Sequence, residues 1–345
     1  MTNEQDQPQQ RTCGDDSASH PRLLSSGTKV LVTGGAGFIG SQVVARLMRM
    51  GSRVRVIDDL STGKVGQLRE ALALGLSDND IRVVDVRSRE CAAVIAEWRP
   101  DVVVHLAAQA SLPAALRSPL VDADINIRGS VNVLEACSCT GVGLVVFAAS
   151  AAIYGQVPPD RLPVTEQTPI APCSPYGLSK ATALRYLDLF ERHRKLPYVA
   201  LAIGNVYGPR QFGVSSGVIP RIAAEVVRGV APQISGDGRQ TRDFVFVTDV
   251  AEAVVAASSG RGRGLVNISS GQEASVTEVF DMVCSLAGTQ VMPRFVPVVP
   301  GDARRMVMDI SRARAVLGWQ PRVSLLDGIA EVVRGAQTPH AEVAV

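Results

Sequence analysis

Short apolar runs and amphipathic stretches alternate along this chain from Lys29 onward. Val30–Thr33, Val54–Ile57, Ile81–Val84, Val102–Leu106, Leu144–Ala149 and Val199–Ile203 are apolar without alternation and rich in Val or Ile. Strands read this way when helices cover both faces of a parallel sheet. Between them, Phe38–Met50, Cys91–Trp98, Val121–Ser138 and Tyr176–Arg194 carry apolar residues at helical spacing. The alternation predicts an α/β fold with a doubly wound parallel sheet.

The pattern loosens after about Asn205, where Gly and Pro punctuate the chain. Three helices are expected there, at Val218–Arg228, Val276–Leu286 and Leu325–Arg334. They suit a smaller lobe that closes over the C-terminal edge of the sheet, where ligands of such folds sit. The expected division is a polar, flexible tail over 1–28 and a sheet domain over 29–205, with 240–265 returning to it. Residues 206–239 and 266–334 form the substrate-binding lobe, and 335–345 a loose tail.

Composition narrows the classes. Hydrophobic residues make up 46% of 345, enough for a sizeable core. A net charge of +2 gives no electrostatic case for a nucleic-acid or membrane-surface partner. No apolar run reaches the roughly 20 residues of a membrane span, and the first 28 lack the apolar stretch of a signal peptide. A cytoplasmic protein is expected. Cys13, Cys91, Cys137, Cys139, Cys173 and Cys284 show no metal-ligand clustering, so no metal is expected and they read as buried reduced thiols. Lys stands only at 29, 64, 180 and 195.

The first strand runs into Gly34-Gly35-Ala36-Gly37-Phe38-Ile39-Gly40. Gly34 permits a tight turn, Gly37 lets backbone approach a pyrophosphate, and Gly40 lets helix pack on strand. The helix N-terminus offers N–H groups and positive dipole to phosphates. Such a turn alone also fits an ordinary strand–helix connection. Asp58 ends the second strand about 20 residues on, where a carboxylate meets ribose hydroxyls. Together they predict a Rossmann-type site for NAD, since an acid there repels a 2′-phosphate. Phe38, Ile39, Asp59, Val86, Leu106, Ala107 and Ala108 are expected around it, Asp59 more as a loop neighbour than a second ligand. Asp85 suits either the adenine edge or a cap for the following helix. Arg53 and Arg55 read as solvated or sheet-edge charges.

Tyr176-Gly177-Leu178-Ser179-Lys180 places a phenol and an ammonium on one helix face. Chemistry at a hydroxyl needs a base. A Lys cation, with the positive ring of bound NAD, lowers a tyrosine from about 10 toward the working range. Ser150 ends the fifth strand and can bridge the reacting oxygen, although a lone Ser there also suits a cap. His105 ends a buried strand and reads as a core histidine.

With these residues assembled, the chain resembles the extended short-chain dehydrogenase/reductase family, in its nucleotide-sugar epimerase/dehydratase branch. The resemblance runs from about Lys29 to Arg334. It is carried by VTGGAGFIGS (32–41), IDDLSTGK (57–64), HLAAQAS (105–111), NIRGSVNVLEA (126–136), SPYGLSK (174–180), NVYGPRQ (205–211), GDGRQTRDFVFVTDVAEA (236–253) and PGD (300–302). It implies that Ser150, Tyr176 and Lys180 are catalytic and that Asn126 is a structural or proton-relay residue beside the cofactor. It implies that Asn205 and Arg242 hold the substrate's phosphates, that Asp302 meets a uridine ribose, and that two subunits pair through the Val121–Ser138 and Tyr176–Arg194 helices.

Dehydratases of the branch carry an Asp-Glu pair, and decarboxylases a Glu, beside the position of Ser150. Here Ser150-Ala151-Ala152-Ile153-Tyr154-Gly155 has no carboxylate. The resemblance therefore implies a 4-epimerase acting on a UDP-sugar such as UDP-glucose. A dehydratase, a 4-keto reductase and a non-catalytic NAD-binding protein are the alternatives. The chain departs from its relatives at Val299, where an Arg is common and Arg304 or Arg305 is the candidate substitute. It departs also at Ala148 and Ala149, where Ser or Thr is common, and at Ala202-Ile203-Gly204. Met306 falls where epimerases gate the space beside the sugar's 2-substituent.

Overall fold

The computed structural model describes residues 24–211, 217–298 and 304–338. Strand and helix alternate through β1 (Lys29–Thr33), α1 (Phe38–Arg49), β2 (Arg53–Asp58), α2 (Arg69–Ala73), β3 (Ile81–Val83), α3 (Arg89–Trp98) and β4 (Val102–His105). Then come α4 (Leu112–Arg117), α5 (Pro119–Ala123), α6 (Gly129–Thr140), β5 (Leu144–Ser150), α7 (Pro175–Arg194) and β6 (Tyr198–Ile203). Between α5 and α6 the helix makes a π-helical turn over Asp124–Arg128. The rest is β7 (Asn205–Tyr207), α8 (Val218–Val227), β8 (Gln233–Ser235), β9 (Thr241–Phe246), α9 (Val247–Ser258) and β10 (Gly264–Ile268). It closes with β11 (Glu273–Ser275), α10 (Val276–Ala287), β12 (Arg294–Val296) and α11 (Leu325–Gln337).

Seven strands form one sheet in the order β10-β6-β5-β4-β1-β2-β3, with every pairing parallel. The chain reverses direction across the sheet between β1 and β4, which opens a crevice at their C-terminal ends. Side chains alternate faces along each strand. Val30, Val32, Val54 and Val56 enter the core under α1 and α9, with Val43, Leu47, Val250 and Val254. Leu31, Ile57, Val103 and Val145 enter the opposite core under α3 and α6, with Ile95, Val133 and Leu134. Each such side chain contributes about 1.5–3 kcal/mol on burial, so unbroken apolar strands are what a two-sided sheet requires.

The smaller lobe has its own core, where Ile219, Ile222, Phe244, Phe246, Val279, Val283, Ile329 and Val333 meet. Its three-stranded sheet has the order β11-β9-β7. β6 passes into β7 through Gly204 alone, and a Cβ there would lie 2.1 Å from Ser269 Oγ. Buried Asp243 fastens β9 from below. It accepts from the N–H groups of Ser270, Gly271 and Met308.

Several expectations need correction. The stretch that returns to the large sheet is 247–268, because α9 packs on α1 and β10 pairs with β6, whereas β9 lies in the lobe sheet. Contacts with the fold precede Lys29: Leu24 packs against the core, Gly27 N donates to Gly51 O, and Thr28 is buried. At the other end α11 runs to Gln337, into the segment read as loose. Arg55 is not at a sheet edge; it lies 5.0 Å over the Trp98 ring and 3.8 Å from Asp80. Only Cys91 and Cys137 of the five described thiols are buried; Cys139 and Cys173 are exposed, Cys284 lies between, and Cys13 falls outside the described residues. Among the described residues no helix is long and apolar enough to cross a membrane, and no metal-ligand cluster occurs.

Candidate active site

A cavity of about 600 Å³ lies along the C-terminal ends of β1, β2, β4 and β5, between the sheet and the lobe. The glycine turn forms one wall. A Cβ on Gly34, where φ is +69°, would lie 2.7 Å from Ala107 N, and one on Gly40 would lie 2.0 Å from Gly34 O. Both positions therefore demand glycine. Gly37 caps α1 without a side chain, so the helix N-terminus faces the cavity with its own N–H groups. Phe38 and Ile39 line the wall beside it.

Asp58 ends β2 at the rim, fixed by hydrogen bonds from Ala36 N and Leu60 N at 2.9 Å each. Burial raises its pKa, against those two bonds. Asp59 also lines the cavity, but its carboxylate is occupied by Ser61, as a loop neighbour's would be. Asp85 lines the cavity and is not the cap: Ser88 caps α3. The Arg87 guanidinium grips Asp85 and lowers its pKa, and Arg87 also reaches Asp124 on the π-helical turn. Val86, Leu106, Ala107 and Ala108 complete this end. A cradle that a Cβ would fill, a bare helix N-terminus and a fixed carboxylate together fit a dinucleotide.

The inner end holds the reactive trio. Ser150 accepts from Ala152 N at 3.2 Å, so it is a cap as well as a lining hydroxyl. Its hydroxyl also hydrogen-bonds Tyr176, which comes from the first turn of α7. That helix starts where it does because Ser174 accepts from Gly177 N and Pro175 takes the first position. One turn on, Lys180 is 3% exposed and donates to Ala148 O at 2.9 Å. The acceptor is backbone, so Ala in place of Ser or Thr at 148 costs that bond nothing. Burial pushes Tyr176 above the usual tyrosine value, and the Ser150 bond opposes it. Burial pushes Lys180 down to about 8. The protein alone therefore does not lower the phenol as the sequence predicts; desolvation outweighs the Ser150 bond.

His105 is held in the core. Thr33 Oγ1 lies 2.6 Å from its Nδ1, and Ser130 Oγ lies 3.1 Å from its Nε2. Ser130 spends its own proton on Asn126 O, so Nε2 carries the histidine proton. Burial holds this ring down to about 3, and a neutral ring at that depth is no base. Asn126 is absent from the cavity lining. Its Nδ2 reaches Gln109 O, Asp122 Oδ1 and Ser179 Oγ, and its Oδ1 accepts from Gln109 N. It braces the wall and does not reach a ligand directly, because the π-helical turn aims it at the loop after β4.

From the lobe side, Asn205, Arg242 and Met306 line the cavity. Arg242 donates to Thr241 O at 2.7 Å. Arg304 is paired with Asp237 and Arg305 with Glu273, and neither lines the cavity. Val299 and Asp302 lie outside the described residues. Sequence reasoning passed over Lys64, Gln67, Gln109, Cys173, Arg210 and Gln211, all of which line the cavity. The signal is present for Lys64, Gln109, Arg210 and Gln211, which stand inside quoted motifs, and for Lys64 also in the scarcity of Lys.

The profile of the NAD dependent epimerase/dehydratase family matches residues 30–269, well over half the chain. The chain belongs to this family. Its cofactor is accordingly NAD, and its fold is that of the family's nucleotide-sugar enzymes. A UDP-glucose 4-epimerase of Mycolicibacterium smegmatis is 38% identical over 309 residues, 88% of this chain and 97% of that protein. Among solved structures, the UDP-glucose 4-epimerase of Thermotoga maritima with UDP-glucose has a TM-score of 0.84 at 37% identity. It covers 89% of this chain and 98% of its own. The UDP-glucose 4-epimerase of Thermus thermophilus in complex with NAD has a TM-score of 0.83 at 36% identity, covering 90% and 100%.

Proposed function

We propose that the chain is an NAD-dependent isomerase, a UDP-sugar 4-epimerase that interconverts UDP-glucose and UDP-galactose. The observation that carries this reading is the inner end of the cavity. Ser150, Tyr176 and Lys180 stand together there, and the neighbouring Ala151 and Ala152 line it without a carboxylate. Elimination of water needs an acid and a base at that point. Epimerisation needs only the trio.

When bound, NAD supplies a reversible hydride acceptor, so the sugar carbon is oxidised, turned and reduced with no net redox change. Tyr176 takes the proton of the 4-hydroxyl, Ser150 bridges the two oxygens, and the same Tyr176 returns the proton. Lys180 is the cation beside them, anchored on Ala148 O. Arg242 offers the substrate's pyrophosphate a planar guanidinium and Asn205 an amide, while Met306 borders the sugar.

A homodimer in the cytoplasm completes the proposal. Exposed Leu120 on α5 and Leu178 and Leu189 on α7 support the pairing. The buried thiols of Cys91 and Cys137 support a reducing compartment.

The purified protein, incubated separately with UDP-glucose, UDP-N-acetylglucosamine and UDP-glucuronate, should convert UDP-glucose to UDP-galactose by NMR, with no growth at the NADH absorbance band. Failure to convert any of the three, or stoichiometric NADH, would overturn the reading.

A further inference from the structure

Asp122 takes no part in any step above, yet it is buried to 1% exposure beside the reactive trio. It sits on α5, which packs against α7. Its Oδ1 accepts from Gln109 Nε2 at 2.9 Å and from Asn126 Nδ2 at 3.1 Å. Gln109 lines the cavity, and its Oε1 accepts from Ser111 N. Asn126 donates in turn to Ser179 Oγ, the side chain next to Lys180. One carboxylate thus ties the loop after β4, the π-helical turn and α7 together.

A carboxylate at that depth is costly unless a charge or donors answer it. Around Lys180, β4 presents His105, which is neutral. β5 presents the Ala148 carbonyl and the Phe147 ring, 5.0 Å from Nζ. α7 itself presents Tyr176. α5 presents Asp122, whose charge acts on both Lys180 and Tyr176. Of the other elements packed on α7, α4 carries Arg117, the π-helical turn Asp124 and Arg128, α6 Glu135, Cys137 and Cys139, the 151–154 turn Tyr154 and β6 Tyr198. None of these groups acts on Lys180.

We propose that Asp122 is a positioning residue for the reaction: it is the counter-charge of Lys180, and through Gln109 and Asn126 it fixes the cavity floor against α7. The proposal rests on Tyr176 and Lys180 being the proton-transfer pair. Its electrostatic consequence has a definite sign. Asp122 holds Lys180 up toward about 8 against burial, and it holds Tyr176 up as well. Removing the charge lowers both, so both limbs of the pH–rate profile move toward acid.

The experiment is a pH titration of the lysine Cε–H signals by NMR, with the same NAD load in every sample. Four lysines keep the spectrum simple, and Lys180→Met identifies the buried one. Asp122→Asn keeps an oxygen that accepts both hydrogen bonds but removes the charge. Its Lys180 midpoint is expected to fall by at least about one unit from the wild-type value. A midpoint that stays put overturns the proposal, since a purely structural brace would leave it there. Gln109→Ala removes the side chain's hydrogen bonds to Asp122 and from Ser111 N and keeps the charge. Its midpoint should hold while kcat falls at unchanged profile shape; a shift as large as that of Asp122→Asn overturns the proposal, and this variant decides alone should Asp122→Asn not fold. The titration is read without turnover, so a static Lys180 and a failed epimerase assay are separate results.

Discussion

Lys180 and His105 are two buried bases whose pKa values burial drives down, and their consequences for stability can be separated by pH. His105 stands at about 3 in the fold against about 6.5 unfolded. Below 6.5 the unfolded chain takes up a proton that the folded one refuses, so stability falls as pH drops from 6.5 toward 3. His105→Gln should flatten that acid slope in denaturant midpoints measured from pH 7 to 4. Lys180 stands at about 8 against 10.5 unfolded, which makes its charge a burden to the fold at neutral pH. The wild type should gain stability relative to Lys180→Met as pH rises through the window from 8 to 10.5, while the variant loses turnover. For Tyr176→Phe the expected loss of kcat is at least about 100-fold, with NAD still bound. These side chains were legible in the sequence because their spacing is local: one helical turn joins Tyr176 to Lys180, and a strand end places Ser150. The link between Gln109 and Asp122 was not, because Gln109 reaches its partners Asp122 and Asn126 across 13 and 17 residues, where the π-helical turn brings them together.

At the scale of elements, the glycine turn binds through shape before it binds through charge. Gly40→Ala would force a methyl group to 2.0 Å from Gly34 O. The helix start must then shift, at a cost of about 1–3 kcal/mol for overpacking. The expected outcome is weaker NAD retention on gel filtration together with a lower melting temperature. The six strands read from apolar runs all appear; burial on both faces leaves the inner ones no reason to alternate, while β3, at the sheet edge, leaves Val83 exposed. α9 escaped for the converse reason. Val250, Ala251, Ala253, Val254, Val255 and Ala257 are all buried, so no polar face marks a helical period. The three-residue strands of the lobe are too short to carry a pattern at all.

For the whole molecule, the surface question is what covers the apolar side chains that the fold leaves out. Leu120 is 82% exposed, and Leu116 and Leu178 are also exposed, on α4, α5 and α7, which pack on one another. If a second copy covers them, Leu120→Glu with Leu178→Glu should halve the mass seen by light scattering and leave the far-ultraviolet circular dichroism unchanged. An unchanged mass would remove the dimer from the proposal.

Gly204 joins the large sheet to the lobe as a seam of one residue, locked at its N–H by Ile268 O at 2.9 Å and crowded by Ser269. Ser150 and Tyr176 stand on one side of that seam, and Asn205 and Arg242 on the other. A joint so short and so tightly packed does not swing. Whatever reorientation the chemistry demands then falls to the bound sugar, tumbling inside a chamber of constant shape. Turnover limited by such a tumble would respond little to viscous cosolvents, and strongly to the bulk of the group being turned.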